Sequence, residues 1–169
     1  LLLTLLGLLL IMQLRTRLSQ SSVDRRKIPV PLHHCGNTPD EARKLGCRFE
    51  LHNFAWVPAE CYDDVLGDDW DSHDTWSYSR SINANDTDDE FVAECRAGNV
   101  NDAWMPWWQH MAHCDLIMKK YMRSVAFQRP MDNWTSSWEH YQHCSRMLAR
   151  FDMDPLLYNS HLFLKFPTC

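Results

Sequence analysis

His110-Met111-Ala112-His113-Cys114 and His140-Tyr141-Gln142-His143-Cys144 repeat one pattern, His-x-x-His-Cys, within a single chain. At 3.6 residues per turn, histidines three positions apart share a helix face, so each segment presents two imidazoles to one neighbourhood with its cysteine on the same broad side. The pattern predicts two helices that together carry four imidazoles. That donor set suits copper, zinc, iron or nickel and does not suit calcium or magnesium. A lone histidine is ordinarily a packing residue, but duplication of the whole pattern argues for a shared ion, with His110, His113, His140 and His143 as metal-holding and catalytic residues.

Working outward, Trp104 to about Ser124 has apolar residues at helical spacing, including Met111, Ile117, Met118, Tyr121 and Met122, with Pro106 in the first turn and Pro130 beyond the end. Ser136-Ser137-Trp138-Glu139 is a capping box that opens a second helix running to about Phe151, with Met147, Leu148 and Phe151 on its apolar side and Pro155 barring extension. A simple hairpin in which the first helix reached Phe127 would leave His110 about 25 Å from the turn, away from His140. The motifs meet if the first helix ends early and residues 124–135 run back beside it, since a dozen extended residues cover roughly 40 Å; the motif helices are then parallel. They also meet across a homodimer. The single-chain solution is the preferred expectation.

Cys114 and Cys144 have two readings: thiolate ligands of a mixed site, or a disulfide that keeps the helices in register, the latter favoured in an oxidising compartment. An all-imidazole site leans towards copper and a Cys/His mixture towards structural zinc. Asp115, Glu139 and Tyr141 stand beside the motifs and could orient imidazoles. Trp107, Trp108 and Trp138 are candidates to wall an apolar substrate pocket.

Elsewhere Thr38-Pro39-Asp40-Glu41, stopped by Gly46, reads as a short capped helix, and Pro58 to Leu66, stopped by Gly67, as another. The acid-rich stretch from Asp63 to Asp74 matches no calcium-loop spacing and reads as a solvated face. Residues 83–90 read as a polar loop. Leu162 to Phe166 looks extended, as a terminal strand or a disulfide-tethered tail. The expected fold is mainly α: a small disulfide-stabilised helical domain with long irregular loops.

Cys35, Cys47, Cys61, Cys95 and Cys169 lie in loop-like contexts and are candidates for disulfides; Cys35 and Cys47 flank the first short helix, but pairing is not deducible from sequence. Two glycosylation sequons, at Asn85 and Asn133, accompany them. Residues 1–14, LLLTLLGLLLIMQL, form an apolar run that reads as a membrane segment or signal region, and because the chain starts at Leu1 further residues are expected upstream. Basic residues after this run argue for a cytoplasmic domain, but the cysteines and sequons outweigh them. The expected organisation is a transmembrane or signal-anchor segment over residues 1–18, a stalk over 19–31 and a metal-binding catalytic domain over 32–169. The expected location is single-pass, with the domain facing the secretory lumen or exterior.

Eight Trp and nine His point to a pocket with chemistry in it, whereas 17 basic against 22 acidic residues, a net charge of -5, supply no basic stripe for nucleic acid.

The duplicated HxxHC pattern behind an apolar N-terminal run resembles the UstYa-like family of fungal oxidases, as do the blocks CGNTPDEARKLGC and WVPAECYDDVL and the terminal FPTC. The resemblance spans about Cys35 to Cys169, and the HxxHC pair is its specific part. It implies copper-dependent oxidation of a fungal secondary metabolite or modified peptide, by dehydrogenation, hydroxylation, oxidative cyclisation or halogenation. The family's motif histidines fall on His110, His113, His140 and His143. Members often continue the second motif with an aliphatic and Leu-Arg pattern, whereas here it runs into Ser145-Arg146-Met147-Leu148. The partners expected are a small-molecule or peptide substrate, the membrane, and a second copy or a sister protein. The rival expectations are a non-catalytic tethered domain with structural zinc, and a copper carrier.

Overall fold

The computed structural model describes residues 32–71 and 76–169. Leu32–Cys169 clusters as one unit. Helix α1, Pro39–Lys44, begins as its sequence requires: Thr38 accepts a hydrogen bond from Glu41 N at 3.2 Å, Pro39 occupies the first turn, and Gly46 follows with φ +75. Strands β1, Arg48–Glu50, and β2, Ala55–Val57, form an antiparallel hairpin with Phe49 opposite Trp56. A 3-10 turn, Ala59–Cys61, precedes helix α2, Asp64–Asp71, which runs through Gly67; the expected single helix from Pro58 to Leu66 is thus two elements.

Helix α3, Asp89–Arg96, is capped by Asp88, whose carboxylate accepts from Phe91 N at 2.7 Å. It ends at Gly98, φ +70, where a Cβ would lie 2.7 Å from the Phe49 ring, so both the backbone and the close approach require glycine. Strand β3, Asp102–Pro106, leads directly into helix α4, Trp107–Ala126. Pro106 is the last strand residue and the helix cap; the expected start at Trp104 is displaced by pairing with β4, Tyr158–Phe163, in which Trp104 faces His161. Helix α5, Trp138–Leu148, is capped by Ser137, which accepts from His140 N at 3.2 Å.

The mainly α expectation is therefore corrected: five helices share the described chain with two antiparallel two-stranded sheets. Short strands of three to six residues offer too few alternations to be read locally and form because a distant partner supplies their hydrogen bonds. The main core joins Phe54 of the β1–β2 turn, Trp76 and Tyr78 of the segment before α3, Met105 and Leu162 of the second sheet, and Leu116 of α4.

The single-pass, lumen-facing placement is also corrected. Among the described residues no helix is long and apolar enough to cross a membrane. The longest, α4, carries Asp115, Lys119, Lys120 and Arg123 along its length. The apolar run and the stalk, residues 1–31, lie outside the described residues.

Two disulfides brace the unit. Cys35–Cys47 closes a short loop around α1, and Cys61–Cys169 ties the C-terminus to the 3-10 turn. Cys95 is not in a loop cross-link; it is a free, buried core residue of α3, and burial pushes its thiol up to about 12. The tail after β4 is stitched three ways: Lys165 pairs beside β2, Thr168 O accepts from Asn133 N at 2.9 Å, and His33 and Cys169 exchange backbone hydrogen bonds.

Candidate metal centre

The four motif histidines converge within one chain, in crossed order: His110 meets His143 and His113 meets His140, with ring centroids 5.3 and 5.6 Å apart. The remaining two sides of the quadrilateral, His110–His113 and His140–His143, measure 6.0 and 6.5 Å. Bond lengths of about 2.0–2.1 Å to an ion place tetrahedral imidazole centroids roughly 5 Å apart, slightly inside these separations.

The convergence is reached by a route neither expected solution describes. Helix α4 does not end early. Residues 127–137 leave its C-terminus and retrace it, with Arg129 N bonded to Ser124 O at 2.9 Å and Asp132 bonded to Lys120 at 2.6 Å. Helix α5 then continues in that backward sense, so the later histidine of one motif meets the earlier histidine of the other. A second copy of the chain is not needed to bring the pairs together.

The retracing segment is held by a buried cluster. Lys120 Nζ lies 2.7 Å from Glu50 and 2.6 Å from Asp132, all three at most 1% exposed. Asp132 also accepts from Thr135 N and Oγ1, each at 2.8 Å. Burial would raise the Asp132 pKa, but the Lys120 ammonium and the Thr135 bonds hold it below the ordinary carboxylate value.

Ring orientation follows from partners outside the quadrilateral. His113 Nδ1 contacts the His52 carbonyl oxygen, which can only accept, so the proton sits on Nδ1 and Nε2 keeps its lone pair. The Ser160 hydroxyl donates to Asn159 Oδ1 at 3.1 Å and lies 3.0 Å from His110 Nδ1, from which it accepts. His110 Nε2 then faces His143 Nε2 at 3.2 Å. Among the described residues His140 Nδ1, which is buried, has no hydrogen-bond partner. Burial, then the charges of His143 and His140, pull His110 down to about 4. Burial, against the bond to the His52 carbonyl, pulls His113 well below its ordinary value. Both rings are therefore neutral at physiological pH, the form that ligates metals.

Cys114 and Cys144 are free, fully buried thiols in contact, so the favoured disulfide is absent. The Cys114 contact, followed by His140 and His143, pulls the Cys144 thiol down, while the same contact and then burial push the Cys114 thiol up. Cys144 Sγ lies 3.6 Å from His140 Nε2. Ligand atoms of His113, His140 and Cys144 lie within 4.8 Å of one another, a group that could hold a metal ion. The residues thus offer a four-imidazole set with one sulfur at its edge.

These histidines form one wall of a cavity of about 720 Å³. Of the three expected pocket tryptophans, Trp107 lines it; Trp108 instead stacks on Trp76 with centroids 4.9 Å apart, and Trp138 is 62% exposed and stacks on Tyr141. Trp134, which sequence reasoning passed over inside its sequon, lines the cavity and lies on His140, centroids 4.3 Å apart. Ser160, His52 and Lys165 were also missed, since a serine, a backbone carbonyl and a tail lysine carry no local signal. Glu139 lines the cavity, whereas Asp115 pairs with Lys119 at 2.7 Å and Tyr141 faces away onto Trp138. Asn85 is exposed on a loop; Asn133 is exposed but its Oδ1 accepts from Thr168 N at 3.1 Å.

Two relatives bear on this site. The chain is similar to phomopsin biosynthesis cluster proteins B and B' of Diaporthe leptostromiformis. It is 31% identical to each over 110 residues, which cover 58% of this chain. The match spans about 30% of the length of these curated relatives. No family model and no solved structure matches the chain.

Proposed function

We propose that this chain is a metal-dependent oxidase of a fungal secondary-metabolite pathway, with copper held by His110, His113, His140 and His143 and a small molecule or modified peptide as substrate. The observation that carries the reading is the convergence of four imidazoles, two of them with Nδ1 engaged outward by Ser160 and the His52 carbonyl. Copper bound there would supply redox chemistry with dioxygen for dehydrogenation, hydroxylation, oxidative cyclisation or halogenation. The chain's own part is to hold the donors rigid and present the substrate. Ser160 and His52 fix two ring orientations, the Lys120 cluster fixes the segment leading into α5, and Trp107 and Trp134 wall the cavity and exclude water. The names of the phomopsin relatives favour such a pathway.

A second reading has its own support. The His113, His140 and Cys144 group is a Cys/His mixture, the composition of structural zinc sites, and would suit a non-catalytic interaction or accessory domain. Elemental analysis and paramagnetic resonance of the purified protein separate the two. The oxidase reading expects stoichiometric copper, lost together with turnover in His110→Ala and His143→Ala while the circular dichroism spectrum is unchanged. Zinc alone in a closed site, or full activity in either variant on an identified substrate, contradicts it.

A further inference from the structure

The geometry points to Lys165 as the recognition group for a carboxylate on the substrate, so that the cavity takes an organic acid with an apolar or aromatic body. This deepens the reading of the cavity as a substrate site and rests on it.

Lys165 lines the same cavity as the four histidines. Its backbone is fixed beside β2, with Trp56 N donating to Lys165 O at 2.9 Å and Lys165 N donating to Phe54 O at 3.1 Å. This fixes where the side chain starts, and the ammonium is placed by its own contacts. It donates to Phe163 O at 2.8 Å and lies 5.1 Å from the Trp134 ring centroid. An ammonium has three donors, and one carbonyl with one aromatic face leaves it short of partners. Among the described residues no carboxylate lies within ion-pairing distance of it.

Comparison with Lys120 shows what the fold does with a structural ammonium. Lys120 is fully buried and is neutralised by Glu50 and Asp132, whereas Lys165 is half-buried at the cavity wall. Among the described residues Lys165 has no such acid, and burial pulls it down to about 8, which leaves it charged at neutral pH. An anion arriving in the cavity would supply the missing partner, in surroundings where a charge-assisted hydrogen bond is stronger than in water. The other walls suit an apolar body: Met105, Trp107, Trp134 and Leu162 surround the space, and its volume is that of a small-molecule site.

The test is binding of indole-3-acetate and of indole-3-acetamide to the metal-free full chain, measured by titration calorimetry. The acid should bind tighter than the amide by about tenfold or more, as one charge-assisted contact implies. Lys165→Met, which keeps the length of the stem, should abolish the preference while changing amide affinity less than about twofold, and Lys165→Arg should retain it. Equal binding of acid and amide, binding of neither, or a preference that survives in Lys165→Met overturns the assignment. If Lys165→Met does not fold, saturation-transfer contacts decide. The bound acid must then place its indole against Trp134, and the absence of such contacts counts against the proposal. Copper binding measured in parallel keeps the two readings apart: a chain that binds copper but not the acid loses only this inference.

Discussion

The Ser160 hydroxyl lies 3.0 Å from His110 Nδ1, so a residue of β4 orients a ring of the first motif and leaves its Nε2 facing the second. Removing that partner frees the ring to rotate without removing a donor atom. Ser160→Ala should lower metal affinity by about 10–100-fold, with the folded state retained. Competition against a chromophoric chelator measures this, and an unchanged affinity would show that the hydroxyl does not orient the ligand.

Lys120 joins α4 to the hairpin and to the segment leading into α5. Lys120→Met leaves Glu50 and Asp132 buried without a cation and should destabilise the chain by about 3–5 kcal/mol. Adding Glu50→Gln and Asp132→Asn should recover part of that loss. Urea unfolding of the single and triple variants reads both values; a neutral single variant would mean that the cluster is not holding the segment.

The thiol inventory separates the two roles of the motif cysteines. Alkylation of the unfolded, unreduced protein should label Cys95, Cys114 and Cys144 and leave the cysteines of the two disulfides blocked. Mass spectrometry showing Cys95 alone labelled would instead reveal a Cys114–Cys144 bond.

Cys61–Cys169 spans a sequence separation of 108 residues. A cross-link closing about 100 residues restricts the unfolded chain by up to about 4.7 kcal/mol on the chain-entropy account. Replacing both cysteines by serine should therefore lower stability by about 2–5 kcal/mol. It should also loosen the tail that carries Lys165, visible as faster amide exchange over residues 164–168. Unaltered exchange there would show that backbone pairing alone secures the tail.

Asp63 and Asp132 are both held below the ordinary carboxylate value of 3.8. Burial raises each, but Arg123 and Arg129 outweigh it at Asp63, and Lys120 at Asp132. A depressed carboxylate stabilises the fold fully above its unfolded value, and the contribution is lost as pH falls through the folded value. Stability should therefore decline below about pH 4, and Asp63→Asn should make that decline shallower while lowering stability at neutral pH. A pH series of thermal melts checks the sign.

Local chemistry was legible where it is local in origin. Thr38, Pro39 and Glu41 announced α1, and the motif spacing announced helices through both HxxHC segments, because caps and helical periodicity act within a turn. Helix α3 is not legible in the sequence because its polar residues resemble a loop, and its Asp88 cap falls within the polar stretch 83–90. The buried stripe of α4 includes Gln109, Lys120 and Ser124, whereas Tyr121 and Met122 are 41% and 61% exposed. Hydrophobicity along the chain could not show this, since the lysine is buried only because Glu50 and Asp132 arrive from elsewhere.

The residues alone determined which atoms could ligate and that each motif would present two imidazoles together. Tertiary structure decided how the motifs meet, which ring nitrogen each partner engages, that Cys114 and Cys144 stay reduced, and that a lysine from the tail joins the cavity. Those outcomes depend on hydrogen bonds and ion pairs between segments tens of residues apart, and such pairings leave no periodic trace in the chain that makes them.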